Sequence, residues 1–179
     1  MITVVFPSAG HHNADPGAVH NGKKEAQFNI EFRDLVSQYL GKHKHIMDKD
    51  DETNREHQSR IKPGAGSVLI DFHLNASTNP KATGCEMFVA NNASTNSKAM
   101  ANELAIGCSK ILGIPNRGVR TESQSKRGKI GILNLGAGIA VLAELGFISN
   151  SKDMESLERN KKLLAEFVAE VLIKYDNLI

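Results

Sequence analysis

Histidines and carboxylates next to apolar segments are the residues of this 179-residue chain best suited to chemistry. His11 and His12 stand side by side in FPSAGHHNADPGA (residues 6–18), and His73 ends the apolar run SVLIDFH. Glu25 lies between these two histidine positions. Two histidines, one carboxylate and an open fourth position form a frequent kind of catalytic zinc site. The residue types allow such a site, with His11 and His12 equally eligible, although no local spacing motif specifies it.

Glu144 stands out because it is the only charged residue in IAVLAELGFI (residues 139–148). Burying a carboxylate that has no partner costs several kcal/mol. A neighbouring cation, a metal ion or a catalytic role would explain its presence in such a segment. The alternative is that the strand ends at Ala143 and the carboxylate meets water.

His73 lies on a predicted strand, where alternation would place Leu69, Asp71 and His73 on one face. A single histidine in this position is more often a core residue bonded to a backbone carbonyl. Asp71 could orient the His73 ring. Same-face neighbours on a strand are usually too far apart for a short hydrogen bond, so we expect none between these two residues.

Alternating apolar patterns predict an α/β domain. Apolar runs predict strands at residues 2–6, 45–49, 67–73, 84–90 and 139–143. Amphipathic or capped segments predict helices at residues 23–40, 50–60, 94–112, 150–158 and 160–175. The glycine-rich segment 117–138 is predicted to be mostly loop, with weak strand signals. We expect one domain (residues 1–179) with a largely parallel twisted sheet of about six strands and helices on both faces.

The predicted topology brings the candidate residues together. Open α/β sheets place their sites beyond the C-terminal ends of the strands. His11, His73 and Glu144 follow or end three predicted strands, and Glu25 lies near the start of the first long helix. We therefore expect these four side chains to converge.

Composition argues against several classes of protein. The chain has 22 basic and 20 acidic residues and a formal charge of +2, which gives no reason to expect nucleic-acid binding. No apolar run approaches the ~20 residues that span a bilayer, so membrane insertion is not expected. The first residues lack the basic region of a secretory signal, so we expect a chain made in the cytoplasm.

Four blocks of the sequence together resemble the zinc-dependent N-acetylmuramoyl-L-alanine amidases of the Amidase_3 type. In the family's order, they are AGHHNADPGA (residues 9–18) followed by Glu25, FHLNAS (72–77), GCEMF (84–88) and VLAELGFISN (141–150). The resemblance implies that His11, Glu25 and His73 bind one zinc ion and that Glu144 is the catalytic carboxylate. His12 stands where the family usually has glycine, which makes it a candidate substrate contact.

The resemblance also implies a reaction and a partner. The reaction is hydrolysis of the amide between N-acetylmuramic acid and L-alanine of the peptidoglycan stem peptide, with Glu144 as general base and then acid. Stem peptides carry carboxylates, so polar and basic side chains are candidate substrate contacts, although a solvated surface charge is the simpler alternative for each arginine or lysine. The candidates are His12, Arg60, Asn75, Arg120 and Arg127, with Arg117 and Lys126 in the same glycine-rich segment.

The biological role implied is that of an endolysin or an autolysin. Such a protein would act on the cell wall after its release, and we expect a monomer. The competing hypothesis is a catalytically inactive peptidoglycan-binding module of the same fold. A nucleotide-binding domain is disfavoured because the loop after the first strand has neither of the common glycine-rich phosphate-binding patterns.

Overall fold

The computed structural model describes residues 4–179, and strands and helices are interspersed along this range, as expected for an α/β domain. The strands are β1 (Val4–Ala9), β2 (Val19–His20), β3 (Lys23–Lys24), β4 (Ser67–Asn75), β5 (Cys85–Val89), β6 (Asn116–Thr121) and β7 (Ile139–Phe147). The helices are α1 (Glu25–Leu40), α2 (Asn54–Arg60), α3 (Thr95–Leu112) and α4 (Ser151–Asp176). Short 3-10 turns lie at Glu122–Gln124 and Gly131–Asn134. Within residues 4–179, no helix combines the length and the apolar character needed to cross a membrane.

The main sheet has five strands in the order β1-β4-β7-β5-β6, and only the β5–β7 pair is antiparallel. The prediction of a largely parallel sheet is therefore confirmed, with five strands where about six were expected. Residues 45–49 contribute an isolated bridge between His45 and Val5 instead of a strand. The fifth strand, β6, lies in the segment that was predicted to be mostly loop.

Several other element boundaries differ from prediction, and β4 and β7 continue to Asn75 and Phe147, beyond their predicted ends at residues 73 and 143. β1 continues through Pro7 to Ala9, which is possible because an edge strand does not need every backbone donor. The predicted start of this strand at residues 2 and 3 lies outside the described residues. Residues 150–158 and 160–175 form one helix, α4, since the Asn160 side chain bonds to the Ser156 carbonyl and no helix breaker separates the two segments.

The two faces of the sheet are covered unequally. Helices α1, α3 and α4 pack on one face, where α1 and α4 cover β4 with its buried Val68, Ile70 and Phe72, and α3 covers β5, β6 and β7. The opposite face carries Leu69 and is covered by residues near α2 and by the second 3-10 turn. Strand alternation places Asp71 and His73 on this second, more thinly covered face. Helices on both faces are thus confirmed, and the polar residues lie on the face without the long helices.

A buried ion pair supports the end of β1. The Arg33 side chain of α1 is 3% exposed, and its Nη1 lies 2.9 Å from Asp48 Oδ2. Asp48 Oδ1 in turn accepts a hydrogen bond of 3.0 Å from the Ala9 amide. Arg33 also contacts Asp34, whose side chain is 47% exposed. The chain therefore leaves β1 for the histidine loop from a position that a buried charge pair fixes.

Replacing the buried partner of Arg33 should destabilise the protein far more than replacing the exposed one. Asp48→Ala leaves the Ala9 amide without its acceptor and weakens a buried ion pair, so we expect a loss of roughly 2–4 kcal/mol in the free energy of unfolding. Asp34→Ala should cost about 0.5 kcal/mol. Urea denaturation of both variants measures the difference, and equal losses would contradict the assignment.

Candidate metal centre

His11, Glu25 and His73 converge, as expected from their predicted positions at the ends of strands and the start of a helix. One ligand atom from each lies within 4.8 Å of the others, which makes the group a cluster that could hold a metal ion. His11 follows β1, Glu25 is the first residue of α1, and His73 lies near the C-terminal end of β4. All three residues are almost completely buried. The cluster contains His11 and not His12.

Glu25 bridges the two histidines. Its Oε1 lies 3.0 Å from His73 Nδ1 and its Oε2 lies 3.4 Å from His11 Nε2. The same oxygens accept backbone hydrogen bonds from Leu74 and Ala18. Burial alone would raise the pKa of Glu25, but the hydrogen bonds and charges of the two histidines hold it well below its ordinary value. The carboxylate is therefore ionised and fixed in orientation.

Two aspartates orient the histidine rings. Asp15 Oδ2 lies 2.8 Å from His11 Nδ1, and Asp71 Oδ2 lies 3.0 Å from His73 Nε2. The prediction that Asp71 would not reach His73 is wrong, because the imidazole side chain is long enough to bridge two same-face positions. Each carboxylate favours a proton on the nitrogen that it contacts, which leaves the opposite nitrogen, facing Glu25, free to bind a metal ion.

The backbone around the cluster leaves no room for larger residues. A Cβ atom on Gly10 would lie 2.2 Å from His73 Cε1, and one on Gly17 would lie 2.6 Å from His11 Cδ2. His11 itself has a φ of 71°, a conformation that non-glycine residues rarely adopt. Two imidazoles and one carboxylate suit zinc better than calcium or magnesium, which prefer oxygen ligands alone. The residues present thus fit a zinc-type ion.

Glu144 lies beside the cluster. It is directly opposite His73 in the β4–β7 pair and opposite Glu86 in the β5–β7 pair. Glu144 Oε2 is buried and has no hydrogen-bond partner among residues 4–179, although the residue keeps some exposure. Burial raises the pKa of Glu144 to about 7, and the charges of Glu25 and Glu86 add to this rise against the opposing charge of His73. The strand does not end at Ala143, so the explanation by a strand end is wrong.

The candidate substrate contacts divide into those near the cluster and those away from it. Asn75 donates a 2.6 Å hydrogen bond to Glu86, and Arg120 lies 3.0 Å from the same carboxylate. Arg127 lines a cavity of about 90 Å³ together with His73. Asn75 and Arg120 therefore lie beside Glu86, the neighbour of Glu144 in the sheet, and Arg127 shares a cavity with His73.

His12 and Arg60 have other surroundings. The His12 ring accepts a hydrogen bond of 3.3 Å from the Ala14 amide within its own loop. Arg60 forms a two-point ion pair with Glu52 at 2.6 and 2.8 Å. Arg60 does not line the cavity that contains His73.

His57 and Ser8, which were not among the predicted site residues, line the same cavity as Asp71 and His73. His57 is buried, and its Nε2 lies 3.2 Å from Ser8 Oγ. The segment NREHQSR, which contains His57, is polar throughout and gives no sequence signal of burial. Only the tertiary placement of α2 over the second face of the sheet brings this histidine to the cavity.

The fold and the cluster define an α/β domain with a candidate metal centre beside a buried glutamate. The Amidase_3 family, described as N-acetylmuramoyl-L-alanine amidase, matches residues 5–174. The chain belongs to this family, and the resemblance found in its four sequence blocks is confirmed.

Known proteins support the family and the fold. N-acetylmuramoyl-L-alanine amidase LytC of Bacillus subtilis strain 168 is 24% identical over 161 residues, which cover 87% of this chain and 31% of LytC. YqiI of the same organism is 28% identical over 159 residues, covering 86% of this chain and 74% of YqiI. The catalytic domain of CwlV, an N-acetylmuramoyl-L-alanine amidase from Bacillus (Paenibacillus) polymyxa var. colistinus, has a TM-score of 0.79 at 24% identity, with 100% of both chains covered. The chain thus spans about a third of LytC and the whole of the CwlV domain.

Adjacent histidines provide a matched test of the metal cluster. His11→Ala removes a ligand and should abolish stoichiometric zinc binding, whereas His12→Ala should leave it intact, because only His11 lies within the cluster. Zinc content after dialysis, measured by plasma mass spectrometry, distinguishes the two variants. Loss of zinc from His12→Ala with retention in His11→Ala would show that the other ring faces the metal.

Protons should compete with the metal ion for the histidines. Burial alone would lower the pKa of His11, but Glu25 and Asp15 raise it above its ordinary value. Burial likewise opposes protonation of His73, yet Asp71 and Glu25 raise the pKa of His73 well above its ordinary value. Because a metal binds the unprotonated ring, zinc affinity should fall as pH decreases, beginning above the ~6.5 expected for free imidazole. Calorimetric titration between about pH 5 and 8 tests this, and a constant affinity would contradict it.

Proposed function

We propose that this chain is a zinc-dependent N-acetylmuramoyl-L-alanine amidase. It hydrolyses the amide between N-acetylmuramic acid and L-alanine of the peptidoglycan stem peptide. The observation that carries the proposal is the convergence of His11, Glu25 and His73 within 4.8 Å, with the buried Glu144 carboxylate beside them. Membership of the Amidase_3 family supports the choice of substrate.

His11, Glu25 and His73 would hold the zinc ion, which when bound supplies a Lewis acid that polarises the amide carbonyl and the attacking water. The chain's own contribution is to fix these ligands before substrate arrives. Asp15 and Asp71 hold the two rings at 2.8 and 3.0 Å, and backbone amides hold both oxygens of Glu25. Fixed ligands of this kind need no rearrangement during the reaction.

Glu144 serves as the general base and then as the general acid. Its carboxylate accepts a proton from the attacking water, whose oxygen bonds to the muramoyl carbonyl carbon. The carbon–nitrogen bond then breaks, and Glu144 delivers a proton to the departing amine of L-alanine. A pKa of about 7 suits both steps, because neither protonation state is strongly disfavoured near neutral pH.

The remaining site assignments and the biological role are part of the same proposal. Asn75, Arg120 and Arg127 are substrate contacts near Glu86 and His73, while His12 and Arg60 are further candidates whose side chains bond elsewhere. Residues 1–179 form one catalytic domain that works as a monomer on the cell wall, as an endolysin or an autolysin. The family assignment and the CwlV-like fold support a wall-degrading role.

Glu144→Gln separates catalysis from metal binding. The variant keeps the shape of the side chain but cannot accept a proton, so cleavage of purified peptidoglycan should slow by about 10²–10⁴-fold while zinc content stays unchanged. Release of new amino groups measures cleavage. Glu103→Gln, at a partly exposed carboxylate bonded to Lys174, is the matched control and should retain full activity.

Two results would overturn this proposal. Full activity of Glu144→Gln would exclude the glutamate as the proton carrier. Release of reducing sugars without new amino groups would show cleavage of the glycan instead of the amide. A wild-type protein that binds peptidoglycan but releases neither product would support the inactive binding module.

A further inference from the structure

Glu86 organises two arginines at the edge of the candidate active site. Its carboxylate is buried, and Oε1 accepts a 2.6 Å hydrogen bond from Asn75. Arg117 Nε and Arg120 Nε lie 3.3 and 3.0 Å from the other oxygen, Oε2. Two guanidinium groups therefore converge on one carboxylate oxygen and leave a surplus positive charge.

The arginine pair is held in place and remains accessible. The Arg117 guanidinium lies over the Phe147 ring, 5.1 Å from its centre, and this cation–π contact helps to fix the arginine side chain. The side chains of Arg117 and Arg120 are 32% and 39% exposed. Within residues 4–179, neither makes an ion pair with any acidic side chain except Glu86. The pair is thus a preorganised cationic surface with capacity for another anion.

The sheet sets the distance between this pair and the reacting bond. His73, Glu144 and Glu86 are direct partners across β4, β7 and β5, so they share one face in a single row. Arg117 and Arg120 lie on β6, the next strand in the sheet. Adjacent strands are about 4.8 Å apart, which puts the backbone of the pair roughly 10 Å from that of Glu144. Two to three extended residues span this distance.

We propose that Arg117 and Arg120 bind a carboxylate on the peptide side of the scissile amide, and so select stem peptides with a free carboxylate on the residue after L-alanine. This inference rests on the proposed amidase function. The acyl side cannot supply the anion, because the lactyl carboxyl group of muramic acid is itself the amide being cleaved. The peptide side is therefore the source of a carboxylate within reach of the pair.

Two synthetic muropeptides test the selection. They differ only in whether the residue after L-alanine carries a carboxylate or a carboxamide. The wild-type protein should show a kcat/KM about 10-fold or more higher for the carboxylate, as expected for a charge-assisted hydrogen bond. Arg120→Gln and Arg117→Gln should lower kcat/KM for the carboxylate substrate alone and so reduce the preference. Arg120→Lys, which keeps the charge, should restore part of it.

Arg159→Gln is the control, because this arginine is 65% exposed and pairs with Glu155 on α4. It should leave both kcat/KM values unchanged. Equal cleavage of the two substrates by the wild-type protein would overturn the selection and leave the amidase function standing. An equal loss on both substrates in Arg117→Gln and Arg120→Gln would also overturn it. Cleavage of neither substrate by the wild-type protein would refute the proposed function, and the selection with it.

Discussion

The site depends on one interaction, the contact of the buried Glu25 carboxylate with two histidines. A carboxylate in this position is stable only if cationic or donor groups surround it. His11 and His73 approach its two oxygens from different elements, and two backbone amides complete its hydrogen bonds. The loop after β1, the start of α1 and the end of β4 must therefore all meet at one point. The tight glycine contacts and the left-handed His11 backbone are consequences of that requirement.

Strand alternation determines which chemistry is possible on each face. The face under the three long helices is filled by aliphatic and aromatic side chains, and it stabilises the fold. The other face carries Asp71, His73, Glu86 and Glu144, under a thin cover of loops and short helices. Such a cover leaves these groups close to solvent and substrate without exposing them fully. The apolar core and the polar residues of the candidate site therefore lie on opposite faces of the same strands.

Local sequence patterns predicted most of the helices and strands. The features they did not predict depend on contacts between residues that are far apart in the sequence. The periodicity of α3, capped by Ser94 and ending at Gly113, gave that helix to within one residue. The edge strand β6 was missed because an exposed strand needs no apolar run, and its sequence NRGVRT has none. The metal cluster was predicted by family resemblance, since residues so far apart in sequence form no local motif. Asp71 and His57 depend on side-chain reach and on the packing of α2, which composition does not encode.

The balance of charge around Glu144 connects these features. Glu25, Glu86 and Asp71 lie in or beside the same row of the sheet, and like charges at such distances disfavour ionisation of a further carboxylate. Glu86 is offset by Arg117 and Arg120, and Glu25 and Asp71 are offset by the histidines. Unlike these three carboxylates, Glu144 forms no ion pair in the described chain, and its buried Oε2 has no hydrogen-bond partner there. Each neighbouring carboxylate is therefore paired with a histidine or an arginine, while Glu144 is left free to exchange a proton, which is the property that a general base requires.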